Sequence, residues 1–202
     1  MTTTPESSTP PSTPGDVYAV FCGQINEGSV QDLLSNLATA TGKNQNVHLL
    51  FQSSGGSVGD GVCLYNFFKS LSVELTIYNV GSISSAGVIA YLGARRRVTS
   101  SRAIFMIHRV AARMGEVPAM VMKGITKNLI LNDERCESIL KENVTLLGGQ
   151  KWSDLDYYDF FFSGKEAVDI GLAHEIGEFS PPPRSRVYHF FDQHRDSHPI
   201  TS

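Results

Sequence analysis

Short apolar runs of strand length recur along this chain, and most of them end in a glycine- or serine-rich turn that leads into residues at helical spacing. Val17 to Cys22, Val47 to Phe51, Val73 to Val80 and Ala103 to Ile107 are the strand-like runs. Between them, Val30, Leu33, Leu34, Leu37 and Ala38 mark one helix face, and Val58, Val62, Tyr65, Phe68 and Leu71 mark another. Ala86 to Ala94 supplies a third helix of small apolar residues, closed by Arg95-Arg96-Arg97 as a solvated edge. Strand–turn–helix units in series predict an α/β fold with mostly parallel strands.

The flanks differ in composition. Residues 1–16 are mostly Thr, Ser and Pro and are expected to be disordered, because they have no apolar area to bury. Pro181-Pro182-Pro183 closes the domain, which leaves a globular unit over residues 17–180 and a polar C-terminal tail, 181–202, with no structure assigned. A long helical pattern runs from Pro118 to Leu147, stopped by Gly148-Gly149. At about 30 residues it spans roughly 45 Å, more than this domain covers, so it is expected to project and to meet another subunit.

Several partner classes are excluded. A net charge of −3 offers no attraction to nucleic acid or to an anionic membrane surface. No apolar run reaches the ~18 residues of a membrane span, and the N-terminus lacks the layout of a signal peptide. Cys22, Cys63 and Cys136 have no CxxC spacing and read as buried free thiols of a cytoplasmic protein rather than as a disulfide frame or a metal site.

In α/β sheets ligands sit at the carboxyl ends of strands, and polar residues gather there in this chain. Gly81-Ser82-Ile83-Ser84-Ser85-Ala86-Gly87 joins a strand to a helix. A serine at that turn either caps the helix or presents its hydroxyl beside free helical N–H groups. A serine nucleophile needs a base, and His108 at the end of Phe105-Met106-Ile107 is the only histidine so placed. Asp159, among Tyr157, Tyr158 and Phe160 to Phe162, is the preferred acid to orient it, with Asp154 and Asp156 as competitors. An apolar setting for Asp159 implies a hydrogen-bond partner. Gly55-Gly56 leaves backbone N–H groups unshielded; one of them, with the N–H of Ala86, would make a two-donor oxyanion hole.

Four stretches in order resemble a known family: Phe51-Gln52-Ser53-Ser54-Gly55-Gly56-Ser57-Val58, Gly81 to Gly87, Met106-Ile107-His108, and Asp159 through Ser163-Gly164-Lys165-Glu166-Ala167 to Leu172. They are similar to the motifs of the proteolytic subunit of the Clp protease, over roughly Val17 to Ile176. The resemblance implies a crotonase-like spiral of ββα units with a long projecting handle helix. It implies Ser85 as nucleophile, His108 as base, Asp159 as orienting acid, and the N–H groups of Gly55 and Ala86 as oxyanion donors. No metal or organic cofactor is required. Unfolded polypeptide is the implied substrate, homo-oligomeric rings (a heptamer or stacked heptamers) the implied assembly, and a ring ATPase the implied partner.

The chain departs from the family pattern at Ser54, where the family has Pro, and at Ala86, where it usually has Met. Arg109-Val110 replaces the Gln-Pro after the histidine, and Ala111-Ala112-Arg113 stands where the family has Gly-Gly. The Thr/Ser/Pro tail replaces an ordered axial segment used in ATPase contact. Two alternatives accompany the peptidase reading. One is a crotonase-type acyl-CoA enzyme, which would not need the three side chains together. The other is an inactive ring subunit that partners an active paralogue.

Overall fold

The computed structural model describes residues 15–41, 46–112 and 115–191. The expectation of N-terminal disorder falls, up to residue 14, outside the described residues. In chain order the elements are β1 (Val17–Cys22), α1 (Glu27–Thr41), β2 (Val47–Gln52), α2 (Val58–Ser70), β3 (Leu75–Asn79), β4 (Ser82–Ser84) and α3 (Ala86–Leu92). Then come β5 (Arg96–Thr99), β6 (Ile104–Ile107), α4 (Ala119–Asn143), a 3-10 helix (Trp152–Asp156), β7 (Phe160–Ser163), α5 (Gly164–Asp169), β8 (Glu175–Ile176) and β9 (Val187–Phe191).

Six strands form a parallel sheet in the order β8-β5-β3-β2-β1-β9. Alternation along these strands decides what each face carries. Ala19 and Phe21 of β1 and Val47, Leu49 and Phe51 of β2 point into the core. Tyr18, His48 and Tyr78 lie on the other face, where the Tyr18 and His48 rings stack at 4.9 Å and Phe179 meets Tyr18 and Tyr78 edge-on. A second sheet, β4-β6-β7, carries the polar turn and the strand that delivers His108; β4 runs parallel to β6, and β7 antiparallel to it.

The apolar run Val73 to Val80 is therefore not one strand leading directly into a helix. Buried Asn79 ends β3: its side-chain amide donates to the Ile104 carbonyl at 3.1 Å, and its Oδ1 accepts from the Gly81 N–H at 3.1 Å. These two bonds satisfy a buried amide and move the chain from one sheet to the other before the serine turn.

Other expectations are corrected. Arg95-Arg96-Arg97 does not end a helix as a solvated edge; α3 stops at Leu92 and β5 begins at Arg96. Arg97 is 7% exposed, and its guanidinium donates to the Leu172 carbonyl at 2.9 Å and the Gly171 carbonyl at 3.1 Å. Cys22 and Cys63 are exposed rather than buried, and only Cys136 is partly buried. The segment after the proline triplet is not structureless: β9 pairs in parallel with β1, and Phe190 is buried. The long helix has 25 residues, so it spans roughly 37 Å. Only Ile139 and Leu140 of it are buried, while Met120, Val121, Ile130 and Leu131 are exposed, so most of its length projects. Ser163 and Glu166 form a reciprocal capping box that starts α5.

These contacts set the stability of the sheet edge. Arg97→Met strands buried carbonyls and is expected to destabilise the fold by about 2–4 kcal/mol, whereas Arg96→Ala removes an exposed pair with Glu175 and costs under about 1 kcal/mol. Urea unfolding of both variants checks this. His174 accepts the Arg97 N–H on Nδ1 at 3.1 Å, and burial, then the positive charge of Arg97, holds its pKa below the ordinary histidine value of 6.5. The folded state therefore binds the proton less well than the unfolded chain, so this stabilisation is complete above pH about 6.5 and is lost as pH falls below it. The fall in urea midpoint between pH 7.5 and 5.5 is expected to be smaller in His174→Asn.

Candidate active site

The site is built on a backbone kink. Ser85 has φ +55° and ψ −128°, a conformation that L-residues rarely adopt, and it sits between β4 and α3. Its N–H donates to the Met106 carbonyl at 2.8 Å, and its carbonyl accepts from the Val88 N–H at 2.9 Å, so the kink is tied to β6 on one side and to the helix on the other. Ser85 makes no side-chain cap bond, which leaves its hydroxyl for other contacts. The turn after β2 closes against this kink. A Cβ on Gly55 would lie 2.7 Å from the Ser85 Cβ, and Gly55 itself has φ +92°, so only glycine fits there.

His108 follows β6, and its Nε2 is 2.8 Å from Ser85 Oγ. This is hydrogen-bond distance with the hydroxyl as donor when the imidazole proton sits on Nδ1. Of the three candidate serines, Ser85 is the one that touches the histidine; Ser82 is exposed and Ser84 lies one residue before the kink.

Asp159 does not join them. It is exposed, and among the described residues it has no hydrogen bond or ion pair. The apolar setting expected for it is absent because the flanking Tyr157, Tyr158 and Phe161 are themselves exposed. Backbone register nevertheless brings it near: Ile107 pairs with Phe160 in the antiparallel β6–β7 ladder, so the next positions outward are His108 and Asp159, on the same face. Neither competitor reaches His108. Asp154 Oδ2 accepts from the Lys151 N–H at 2.8 Å, and Asp156 Oδ1 accepts from Arg109 Nε at 2.8 Å.

The two glycines divide their backbone groups differently than expected. The Gly55 N–H donates to buried Ser53 Oγ at 3.0 Å and is not a free donor. Gly56 forms an isolated parallel bridge with Ile25, made by the Gly55 carbonyl and the Ser57 N–H, so the Gly56 N–H turns to the opposite side. Among the described residues neither the Gly56 N–H nor the Ala86 N–H has an acceptor, and both residues line one cleft with Ser85 and His108. The sequence shows a Gly-Gly pair without revealing which N–H is free, because the bridge to Ile25 makes that choice.

This cleft has a volume of about 80 Å³. Val58, Val88, Ile89, Ile107, Leu140 and Cys136 form its apolar wall. Burial pushes the Cys136 thiol up to about 11, so it is neutral at physiological pH and adds apolar surface rather than a second nucleophile. A strained serine, a histidine on its hydroxyl and two convergent free N–H groups form an arrangement suited to acyl transfer. Among the described residues no helix is long and apolar enough to cross a membrane.

Comparison with known proteins identifies the family. The chain is 26% identical over 157 residues to the ATP-dependent Clp protease proteolytic subunit 3 of Rhizobium etli, covering 76% of this chain and 80% of that protein. It is 22% identical over 165 residues to the subunit of the same name from Parasynechococcus marenigrum, covering 78% of this chain and 80% of that one. The solved structure of a point mutant of ClpP1 from Listeria monocytogenes superposes with a TM-score of 0.67 at 24% identity, over 80% of this chain and 91% of that one, which establishes the crotonase-like fold. The Clp protease family model matches residues 16–180, and the chain belongs to the Clp protease family of serine peptidases.

Proposed function

We propose that this chain hydrolyses peptide bonds of unfolded polypeptides with Ser85 as nucleophile and His108 as general base. The observation that carries the reading is the 2.8 Å contact between Ser85 Oγ and His108 Nε2 at a strained strand-to-helix turn. Ser85 Oγ bonds to the scissile carbonyl carbon as its proton passes to His108 Nε2. Breakage of the C–N bond takes that proton to the leaving amine and leaves an acyl-enzyme. Water, deprotonated by the same nitrogen, then releases the acid and restores the serine. The oxyanion donors we assign are the N–H groups of Gly56 and Ala86, since the Gly55 N–H is occupied by Ser53. Asp159 is the orienting acid in this reading, and it must move onto His108 Nδ1 to act.

The apolar cleft wall favours an apolar side chain next to the cleaved bond. Exposed Met120, Val121, Met122, Ile130 and Leu131 on α4 support an oligomer in which neighbouring subunits cover that helix. The relatives carry "ATP-dependent" in their names, and a ring ATPase that delivers substrate is the corresponding partner here. Three free thiols fit a reducing cytoplasm.

A fluorophosphonate probe, which reacts with activated serines, tests the reading. Ser85→Ala is expected to abolish labelling, while Ser82→Ala and Ser84→Ala retain it; labelling unchanged in Ser85→Ala overturns the assignment. His108→Ala is expected to slow labelling and peptide hydrolysis by about 100- to 10,000-fold, as loss of a general base does, with thermal stability preserved. A crotonase-type acyl-CoA enzyme would show no labelling at all.

A further inference from the structure

Arg109, the residue after His108, is the centre of an ion-pair network that the peptidase chemistry above does not use. Its Nε donates to Asp156 Oδ1 at 2.8 Å, Nη1 donates to Glu137 Oε2, and Nη2 donates to the Trp152 carbonyl at 3.4 Å. Asp133 Oδ2 lies 3.8 Å from Nε, while Asp133 Oδ1 accepts the Val110 N–H at 2.7 Å. Lys141 pairs with Glu137 one turn along α4. One guanidinium thus joins the strand that carries His108 to α4 and to the 3-10 helix.

That 3-10 helix leads directly into the candidate acid. Asp156 is its last residue, and Asp159 follows three positions later, just before β7. The N–H groups of both Tyr157 and Tyr158 turn back to the Asp154 carbonyl, at 3.0 and 3.2 Å. The chain is therefore held against the 3-10 helix up to Tyr158, and the β6–β7 ladder begins only at Ile107 and Phe160. One position further out, His108 Nδ1 and the Asp159 carboxylate each have no partner among the described residues. Two groups that would bond each other face the same side of the sheet and remain apart, while the adjacent acid is clamped.

We propose that Arg109 and Asp156 are positioning residues that form a latch: their ion pair holds the end of the 3-10 helix so that Asp159 is kept off His108, and its release lets the ladder extend by one pair and completes the triad. This rests on the peptidase reading of Ser85 and His108. The latch suits a switch because Asp156 is 55% exposed in its side chain, and an ion pair of that kind biases an equilibrium by only up to about fivefold. A modest input, such as a neighbouring subunit or bound peptide, suffices to reverse such a bias. The remaining carboxylates, Glu137 and Asp133, keep Arg109 anchored to α4 when Asp156 lets go, so the cleft wall at Arg109 and Val110 stays in place.

The test is the rate of fluorophosphonate labelling of Ser85 in the full-length chain, for wild type, Asp156→Asn, Asp159→Asn and the double variant. Asp156→Asn is expected to label faster than wild type by up to about fivefold. That gain is expected to vanish in the double variant, because it acts only through Asp159. A purely structural ion pair would give no gain and no dependence on Asp159. Asp156→Ser serves as a second release variant and is expected to behave as Asp156→Asn. Labelling by Asp156→Asn and Asp156→Ser at or below the wild-type rate, or a gain that persists in the double variant, overturns the latch while leaving Ser85 as nucleophile. Failure of Ser85 to label in wild type and all variants overturns the peptidase reading and the latch together.

Discussion

The positive φ of Ser85 is the constraint on which the site depends. A serine in ordinary helical or extended geometry would turn its hydroxyl along α3 or into the sheet. At φ +55° the side chain stands out at the turn while the next N–H, that of Ala86, faces the same space. Such a conformation costs on the order of 1–3 kcal/mol and persists only where the surroundings over-determine it. Here they do so through the Ser85–Met106 hydrogen bond, the Val88–Ser85 bond and the absence of a side chain at Gly55. Asn79 contributes from further away, since its two side-chain bonds set where the chain leaves the large sheet for the small one.

Electrostatics around the second residue of the pair are less settled by the local chain. His108 has its serine partner but no acid, and the two aspartates that compete with Asp159 are engaged by other groups: Asp154 by the Lys151 backbone and Asp156 by Arg109. Glu137 is held below the usual carboxylate pKa by hydrogen bonds from Lys141 and then from Arg109, so it stays ionised. The substitution after the histidine is thus a change in connectivity. An arginine at this position joins three carboxylates on two elements, and one of those elements leads to Asp159.

Much of this was legible in the sequence, for physical reasons that also mark the limits. Strand ends and apolar periodicity located the serine turn and His108, because parallel strands bring their carboxyl ends together, whereas the choice of Ser85 within that turn came from the family resemblance. The Ser163–Glu166 capping box was readable because it is local. Long-range matters were not readable. The identity of the free glycine N–H depends on the bridge from Gly56 to Ile25, which lies 31 residues earlier in the chain. Arg97 looked like one of three solvated cations, yet carbonyls near the end of α5 pull it inside. The tail carrying Tyr188 and Phe190 was assigned no structure, because the free edge of β1 that receives β9 lies far away in the chain. The apolar neighbours of Asp159 suggested burial, whereas Tyr157 and Phe161 point outward with it.

The decisive measurement is the structure of this protein after reaction with a peptidyl boronic acid, since the tetrahedral boronate imitates the acyl-transfer intermediate. Boron is expected to bond to Ser85 Oγ, with one boronate oxygen within hydrogen-bond distance of the N–H groups of Gly56 and Ala86 and the Asp159 carboxylate on His108 Nδ1. A boronate on another residue, or an oxygen held by Gly55 with Asp159 still turned to solvent, would contradict this assignment of the site.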